Sequence, residues 1–220
     1  MEHAIEIVTA ELTGKESPVP ALKEQDIPYY GVKEAAFPFN MFQEVDPVLG
    51  PEMRSTGEVL GLSQFWGEAF YKAQEGIQSK LPLSGKVLIT VNDKDKSEVV
   101  EVAKGFEEIG FEILASKGTC KILAENGINS KEVLKINEGR PNILDIILNG
   151  EVDLVINSPV GDKSAVDDSY LRKAAIKKKI PYMTTMAAAK ATVSGIKTIK
   201  ERGNSEVKSL QELHASISDK

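Results

Sequence analysis

The sequence predicts an α/β fold whose centre is a parallel sheet of five strands with helices on both faces. From residue 86 onward, short apolar runs alternate with segments of helical spacing, and glycines end most of the helical segments. Strands that alternate with helices are joined by right-handed crossovers, which place parallel strands between two layers of helices. A chain of 220 residues with 41% hydrophobic residues is large enough to bury such a core.

Five apolar runs are predicted to form the sheet. They are KVLITV (86–91), FEILAS (111–116), VLKI (133–136), VDLVIN (152–157) and IPYMT (180–184). Their length and bounding turn residues are typical of buried strands. The predicted helices cover 96–109, 119–126, 141–149, 166–179 and 186–200. The end of the chain, 206–220, fits either one more short helix or a frayed tail.

The start of the chain has a different composition. Residues 3–13 have helical spacing and are predicted to be a helix. Six prolines between residues 17 and 52 predict turns and extended segments, and only 29–37 are predicted to be a strand there.

A further helix is predicted over about 56–76, because Ser55 and Glu58 have the spacing of a capping box. A segment so rich in loops rarely forms a core alone. We therefore expect two domains, a mixed helix and loop segment over 1–82 and the α/β domain over 83–220.

Charge is distributed unevenly along the chain. The net charge is −6, and residues 1–80 carry six basic against 13 acidic side chains, while the rest of the chain is almost neutral. A protein that coats nucleic acid has a basic surface, so no nucleic-acid partner is expected.

Cysteine and histidine are too few for the sites that they commonly form. The single Cys120 predicts no internal disulfide, and His3 and His214 lie near the chain ends, so no metal site or histidine-centred triad is expected. No apolar run reaches the length of a membrane span. We expect a cytoplasmic protein without a membrane partner.

Hydroxyl, amide and lysine side chains follow the predicted strands, where ligands bind in open parallel sheets. Helix N-termini begin at the same edge and favour anions, so a phosphate ester is the expected ligand. The alternative is that these residues are ordinary helix caps and solvated lysines. The residues concerned are Asn92, Lys96, Ser116, Lys117, Thr119, Lys135, Asn137, Asn157, Ser158, Thr184 and Thr185.

Carboxylates near this edge offer little for catalysis. One of them could act as a general base, but first-turn acids of helices are the commoner role. We therefore predict no catalytic residue. The carboxylates are Asp93, Asp95, Asp162, Asp167 and Asp168.

Two parts of the sequence resemble the large chain of carbamoyl-phosphate synthases. Residues 28–61, with GPEMRSTGEVLG at 50–61, resemble the end of its second ATP-grasp half, and FYKAQ at 70–74 continues the match. Residues 86–200 resemble the methylglyoxal-synthase-like (MGS-like) domain that follows it in that family. The matching pieces are DK (95–96), SKGT (116–119), KINEGRPNI (135–143) and DLVIN (153–157).

The resemblance implies a regulatory role. That family makes carbamoyl phosphate from bicarbonate, glutamine-derived ammonia and two ATP, for pyrimidine and arginine synthesis, and its C-terminal domain binds nucleotide effectors such as UMP and IMP. The family often has a residue with a hydroxyl group where this chain has Pro159. Proline has neither a side-chain hydroxyl nor a backbone N–H, so two hydrogen-bond donors are lost and the identity of the effector stays open. The phosphate and ribose contacts implied are Lys96, Ser116, Thr119, Lys135, Asn157 and Ser158.

Some family members also bind ornithine between the two regions. The matching residues are Glu34, Phe37, Asp168 and Thr184, of which the two carboxylates suit an amino group.

The family's ATP- and metal-binding parts lie upstream of the region that matches residue 1. The resemblance therefore implies that this segment holds no cofactor, although the parent enzyme uses ATP with Mg or Mn, and that the segment is inactive alone. It implies a fragment or a split-gene product whose partners are the rest of the large chain, the glutaminase small chain and further copies of itself.

Two alternatives remain open. A methylglyoxal synthase would need an aspartate base and histidine, but residues 138–143 read EGRPNI and no histidine lies within 86–200. The domain could instead be an oligomerisation domain that binds no ligand.

Overall fold

A computed structural model describes residues 2–17, 25–41, 49, 51–158, 165–203 and 207–219. The helices in these ranges are α1 (Glu2–Thr13), α2 (Trp66–Gly76), α3 (Lys96–Glu108), α4 (Lys117–Glu125), α5 (Ile143–Asn149), α6 (Ala165–Lys178), α7 (Met186–Arg202) and α8 (Leu210–Ala215). The strands are β1 (Gln25–Asp26), β2 (Tyr30–Ala36), β3 (Gly57–Ser63), β4 (Gly85–Thr90), β5 (Phe111–Ser116), β6 (Lys131–Val133), β7 (Leu154–Asn157), β8 (Tyr182–Met183) and β9 (Ser218–Asp219).

The main sheet has five parallel strands in the order β6-β5-β4-β7-β8, which confirms the predicted fold class. Successive side chains of β4 enter two different cores, as alternation along a strand requires. Val87 and Ile89 pack under α3, α4 and α7, whereas Leu88 packs under α5 and α6. Both faces of the sheet are therefore covered by helices.

Two boundaries near the sheet edge differ from the prediction. The strand predicted over 133–136 is β6, which pairs with β5 only from Lys131 to Val133, so Lys135 follows the strand. The apolar run misleads because Ile136 packs against the core from the loop after β6. The helix predicted to begin at residue 119 begins at Lys117, directly after β5.

The predicted helix over 56–76 is wrong in its first half. Residues 57–63 form β3, which pairs antiparallel with β2. The apparent capping box fails because Glu58 faces across this pair, with its Oε2 2.7 Å from Lys33 Nζ.

Gly61 explains how closely the pair packs against the second half of that segment, α2. A Cβ atom built on Gly61 would overlap the Ala69 carbonyl and lie 2.7 Å from the Ala73 nitrogen. The turn into the helix is held by Ser63, whose hydroxyl donates to Glu68 Oε2 at 2.8 Å. A glycine in a strand is here the sign of a close backbone approach.

The described chain divides into two units by its contacts, Met1–Pro28 with Val207–Lys220, and Tyr29–Glu206. The first unit contains the predicted helix α1, the short helix α8, and the antiparallel pair β1–β9. The predicted domain boundary between residues 82 and 83 falls inside the second unit and stays a prediction. No helix in the described ranges is long and apolar enough to cross a membrane.

Candidate anion-binding site at the carboxyl edge of the sheet

Three polar side chains form a row across the carboxyl ends of adjacent strands. Ser116 ends β5, Thr90 ends β4 and Asn157 ends β7, and Thr90 is the register partner of Asn157. The Thr90 and Ser116 hydroxyl oxygens are 3.3 Å apart. All three lie on the face covered by α5 and α6, because the residues two positions earlier are in that core, namely Leu88, Leu114 and Val155.

Buried hydroxyls mark the N-terminus of α4. Ser116 is 3% exposed and Thr119 is 1% exposed, and their hydroxyl oxygens are 3.3 Å apart. The backbone N–H of Val91 donates to Thr119 Oγ1 at 3.4 Å, which ties the end of β4 to the helix. The two predicted hydroxyls are thus brought together where a helix leaves its first N–H groups without helical partners.

Lys96 stands beside the same helix terminus. A Cβ atom on Gly118, in the first turn of α4, would lie 3.7 Å from Lys96 Nζ. The ammonium is also 2.5 Å from Asp93 Oδ1. The Lys96 ammonium lowers the pKa of Asp93, and Lys135 adds a smaller effect in the same direction. Lys96 therefore forms an ion pair with the exposed carboxylate of Asp93, on which Lys135 acts more weakly.

Lys135 is exposed in the loop between β6 and α5. Its backbone N–H donates to Glu138 Oε2 at 2.8 Å. The end of the loop is fixed by Asn142, whose side chain accepts from the Leu144 and Asp145 backbone N–H groups in a capping box. The loop thus presents Lys135 from a backbone with defined hydrogen bonds.

Asn157 and Ser158 are both engaged in hydrogen bonds. The Asn157 Nδ2 donates to Asp168 Oδ1 at 2.9 Å and to the Tyr182 hydroxyl at 2.6 Å. Burial raises the pKa of Tyr182 to about 12, so the phenol stays neutral. The Ser158 hydroxyl oxygen accepts from the backbone N–H of Asn92 at 3.0 Å and from its side chain at 3.2 Å.

Sequence reasoning missed Thr90 and Tyr182. Thr90 lies inside the strand predicted over 86–91, so it is not among the residues that follow a predicted strand. Tyr182 had a detectable signal, because a tyrosine in an otherwise apolar strand usually seeks a partner for its hydroxyl.

The four residues matched to an ornithine site lie on separate elements. Glu34 on β2 is half-buried, and burial raises the pKa of its carboxyl. The Phe37 ring stacks on Phe39 with centroids 5.1 Å apart, and the adjoining turn Pro38–Asn40 packs against α6. Asp168 on α6 is buried against Asn157, and Thr184 is exposed after β8.

Some predictions lie outside the described residues. Pro159 and Asp162 are among them, so the effect of the proline on ligand binding stays a prediction. In the ranges that the structure does describe, no group of three or more His, Cys, Asp or Glu residues could hold a metal ion.

Comparisons with known proteins identify the family to which the sequence belongs. The family model described as "MGS-like domain" matches residues 98–184. The carbamoyl phosphate synthase large chain, C-terminal section, of Aquifex aeolicus is 49% identical over 87% of this chain. The carbamoyl phosphate synthase large chain of Gemmatimonas aurantiaca is 50% identical over 85% of this chain. This chain covers 36% of the Aquifex protein and 17% of the Gemmatimonas protein.

Among solved structures, a methylglyoxal synthase from Elizabethkingia anophelis is similar with a TM-score of 0.43 and 17% identity, over 52% of this chain and 80% of that one. The sequence matches to the large chains extend well beyond the MGS-like region and cover most of the 220 residues. The chain therefore belongs to the family of the carbamoyl phosphate synthase large chain, whose C-terminal section it matches and whose MGS-like domain it carries.

Proposed function

We propose that the chain is the regulatory portion of a carbamoyl phosphate synthase large chain and that the carboxyl edge of its sheet binds a nucleotide of the UMP or IMP class. The observation that carries the proposal is the position of the Lys96 ammonium beside Gly118 at the N-terminus of α4. A cation, free backbone N–H groups and the helix dipole then act on one point, as a phosphate group requires.

The phosphate contacts are assigned by charge and position. Lys96 and Lys135 supply the cations, and the charge of Asp93 is displaced from them when the phosphate binds. Ser116 and Thr119 supply hydroxyls beside the same helix terminus. Charge-assisted hydrogen bonds of this kind are the strongest that a lysine forms.

The sugar of the nucleotide is assigned to the next strands along the sheet edge. Asn157 is the member of the polar row on β7, two strands away from Ser116 on β5, and Ser158 is the next residue along the chain. Neighbouring strands are about 4.8 Å apart, so this end of the row lies roughly two strand spacings from the phosphate. That separation suits the ribose and base.

The proposal for the whole enzyme rests on the names of the relatives. The parent enzyme makes carbamoyl phosphate from bicarbonate, glutamine-derived ammonia and two ATP in the cytoplasm, and this segment alone is inactive. The effector acts through the rest of the large chain, which works with the glutaminase small chain and further copies of itself. The coupling cannot exceed the difference in effector affinity between the two states of the enzyme.

Isothermal titration of the 220-residue chain with UMP and with IMP tests the proposal. We expect one nucleotide to bind one-to-one and Lys135→Ala to weaken binding about tenfold to a hundredfold, because a charge-assisted bond contributes on the order of 1.5–3 kcal/mol. Lys131→Ala, an exposed lysine on the neighbouring strand β6, is the matched control and leaves affinity unchanged.

Three results would contradict the proposal. No binding of either nucleotide at millimolar concentration removes it. A change in assembly with unchanged affinity in Lys135→Ala favours the oligomerisation domain instead. Production of methylglyoxal from dihydroxyacetone phosphate would favour the lyase.

An ornithine-type amine ligand stays a prediction for the set Glu34, Phe37, Asp168 and Thr184. Its support is the half-buried carboxylate of Glu34, whose pKa is raised by burial. An amino group beside it would stabilise the charged form.

A further inference from the structure

We propose that Asp168 and Tyr182 fix the side-chain amide of Asn157 so that its carbonyl oxygen faces the ligand, which makes this position select for a sugar hydroxyl. The inference rests on the proposed function, because it specifies one contact inside the proposed nucleotide site. Asp168 and Tyr182 are positioning residues in this scheme, since they act on the ligand only through Asn157.

The orientation of the amide follows from the chemistry of its partners. A carboxylate oxygen accepts hydrogen bonds, so the end of the Asn157 amide that faces Asp168 Oδ1 at 2.9 Å is the NH₂ group. The second bond of Nδ2, at 2.6 Å, goes to the Tyr182 hydroxyl oxygen. Both side-chain N–H groups are then engaged, and a flip of the amide would turn its carbonyl oxygen toward the carboxylate.

Burial makes the wrong orientation costly. Asn157 is 4% exposed and Asp168 is 6% exposed, so water cannot replace the two bonds. An unsatisfied polar group in such a place carries its full desolvation cost. Tyr182 adds to the arrangement as a neutral phenol, because burial raises its pKa to about 12. The two hydrogen bonds therefore hold the amide in one orientation.

The sheet order sets the direction of the carbonyl oxygen. Tyr182 lies on β8, on one side of β7, whereas Thr90 lies on β4, on the other side. Since the amide nitrogen points toward β8 and α6, the carbonyl oxygen lies on the side of the amide that faces β4. That side carries the polar row of Thr90 and Ser116.

A carbonyl oxygen accepts hydrogen bonds and donates none, so its ligand partner must be a donor. The oxygens of an ionised phosphate only accept, which excludes the phosphate from this position. A sugar hydroxyl donates, and it is the group next to the phosphate in a nucleotide. Asn157 is therefore assigned to the ribose and not to the phosphate.

Titration with two nucleotides tests this assignment. UMP carries both sugar hydroxyls, and 2′,3′-dideoxyuridine monophosphate carries neither. We expect the wild-type chain to bind UMP about three- to tenfold more tightly, the contribution of one neutral hydrogen bond. Tyr182→Phe and Asp168→Ala, each of which removes one acceptor of the amide N–H groups, should bring this ratio closer to one.

The ratio of the affinities for UMP and for the dideoxy nucleotide would not change if Tyr182 and Asp168 only stabilised the fold. A loss of folded protein lowers both apparent affinities equally. Tyr170→Phe and Asp167→Ala are matched controls on α6: the first removes an exposed tyrosine hydroxyl and the second a neighbouring first-turn carboxylate. Both should keep the wild-type ratio. Equal affinities of the wild-type chain for the two nucleotides would overturn the inference and leave the proposed function standing.

A measurement on the ligand-free chain tests the fixed orientation of the Asn157 amide separately from its selection of a sugar hydroxyl. In NMR spectra of the ligand-free chain, the side-chain NH₂ protons of Asn157 should show nuclear Overhauser contacts to the Tyr182 ring protons next to its hydroxyl. Absence of these contacts would overturn the fixed orientation. If the wild-type chain bound neither nucleotide, the proposed function would fail and the hydroxyl selection with it, while this spectrum would still decide whether the amide is held.

Discussion

Gly118→Ala should weaken nucleotide binding while it stabilises the fold. The added methyl group has room, because the nearest heavy atom within 4 Å of a Cβ at this position is Lys96 Nζ at 3.7 Å. That distance is an ordinary contact for the protein itself. It also places a carbon atom between the ammonium and the N-terminus of α4, where the proposal puts a phosphate oxygen.

Gly118→Ala is expected to have two opposite effects, a gain in stability and a loss of nucleotide affinity. Alanine is favoured over glycine within a helix by up to about 1 kcal/mol, which raises Tm by about 2–4 °C in a chain of this size. A phosphate oxygen bound by lysine sits about 2.8 Å from the nitrogen, and the methyl group blocks the approach from the helix side. Loss of that charge-assisted bond, on the order of 1.5–3 kcal/mol, weakens binding at least about tenfold.

The assay is a pair of measurements on each variant, thermal unfolding and isothermal titration with UMP or IMP. Gly57→Ala is the control, because a Cβ at Gly57 has nothing within 4 Å and the residue lies on β3. It should keep the wild-type affinity. Unchanged affinity in Gly118→Ala, with the same or higher Tm, would refute the assignment of the phosphate to this helix terminus.

Two further predictions concern stability. Gly61→Ala should lower the free energy of unfolding by about 3 kcal/mol or more, because its Cβ meets the backbone of α2, whereas Gly57→Ala on the same strand should change it little; thermal unfolding of the pair checks this. Burial raises the pKa of Glu34 above 4.5, so the unfolded chain releases this proton at lower pH than the folded chain, and the stability falls as pH rises through that range. Glu34→Gln should therefore raise Tm relative to wild type at pH 7 and not at pH 4, and an equal gain at both pH values would contradict burial as the cause.

The sheet could be predicted from sequence because its strands are short, apolar and buried on both faces. The segment 57–63 could not. The spacing of Val59 and Leu62 fits one face of a helix, and what decides for a strand is pairing with β2, a contact distant in sequence. A glycine is needed at position 61 because α2, the helix that follows the strand, packs directly against it.

The candidate site was predictable in its residue types and not in its hydrogen bonds. Strand ends and helix starts can be read locally, so Lys96, Ser116 and Thr119 were placed at one edge. The partners of Asn157 depend on which strand lies beside β7, and the sequence does not state that order. Asp168 is assigned to an amine site by the resemblance alone, and its hydrogen bond with Asn157 is visible only in the structure.

We propose that the carboxyl edge of the sheet binds a nucleotide phosphate at the start of α4. The most direct test is a titration of the ¹⁵N-labelled chain with UMP, followed by backbone amide chemical shifts. We expect saturable changes in chemical shift that are largest at Gly118 and Thr119 and extend to Asn157 and Ser158. Shifts that do not saturate, or that centre on β2 and β3 instead, would contradict it.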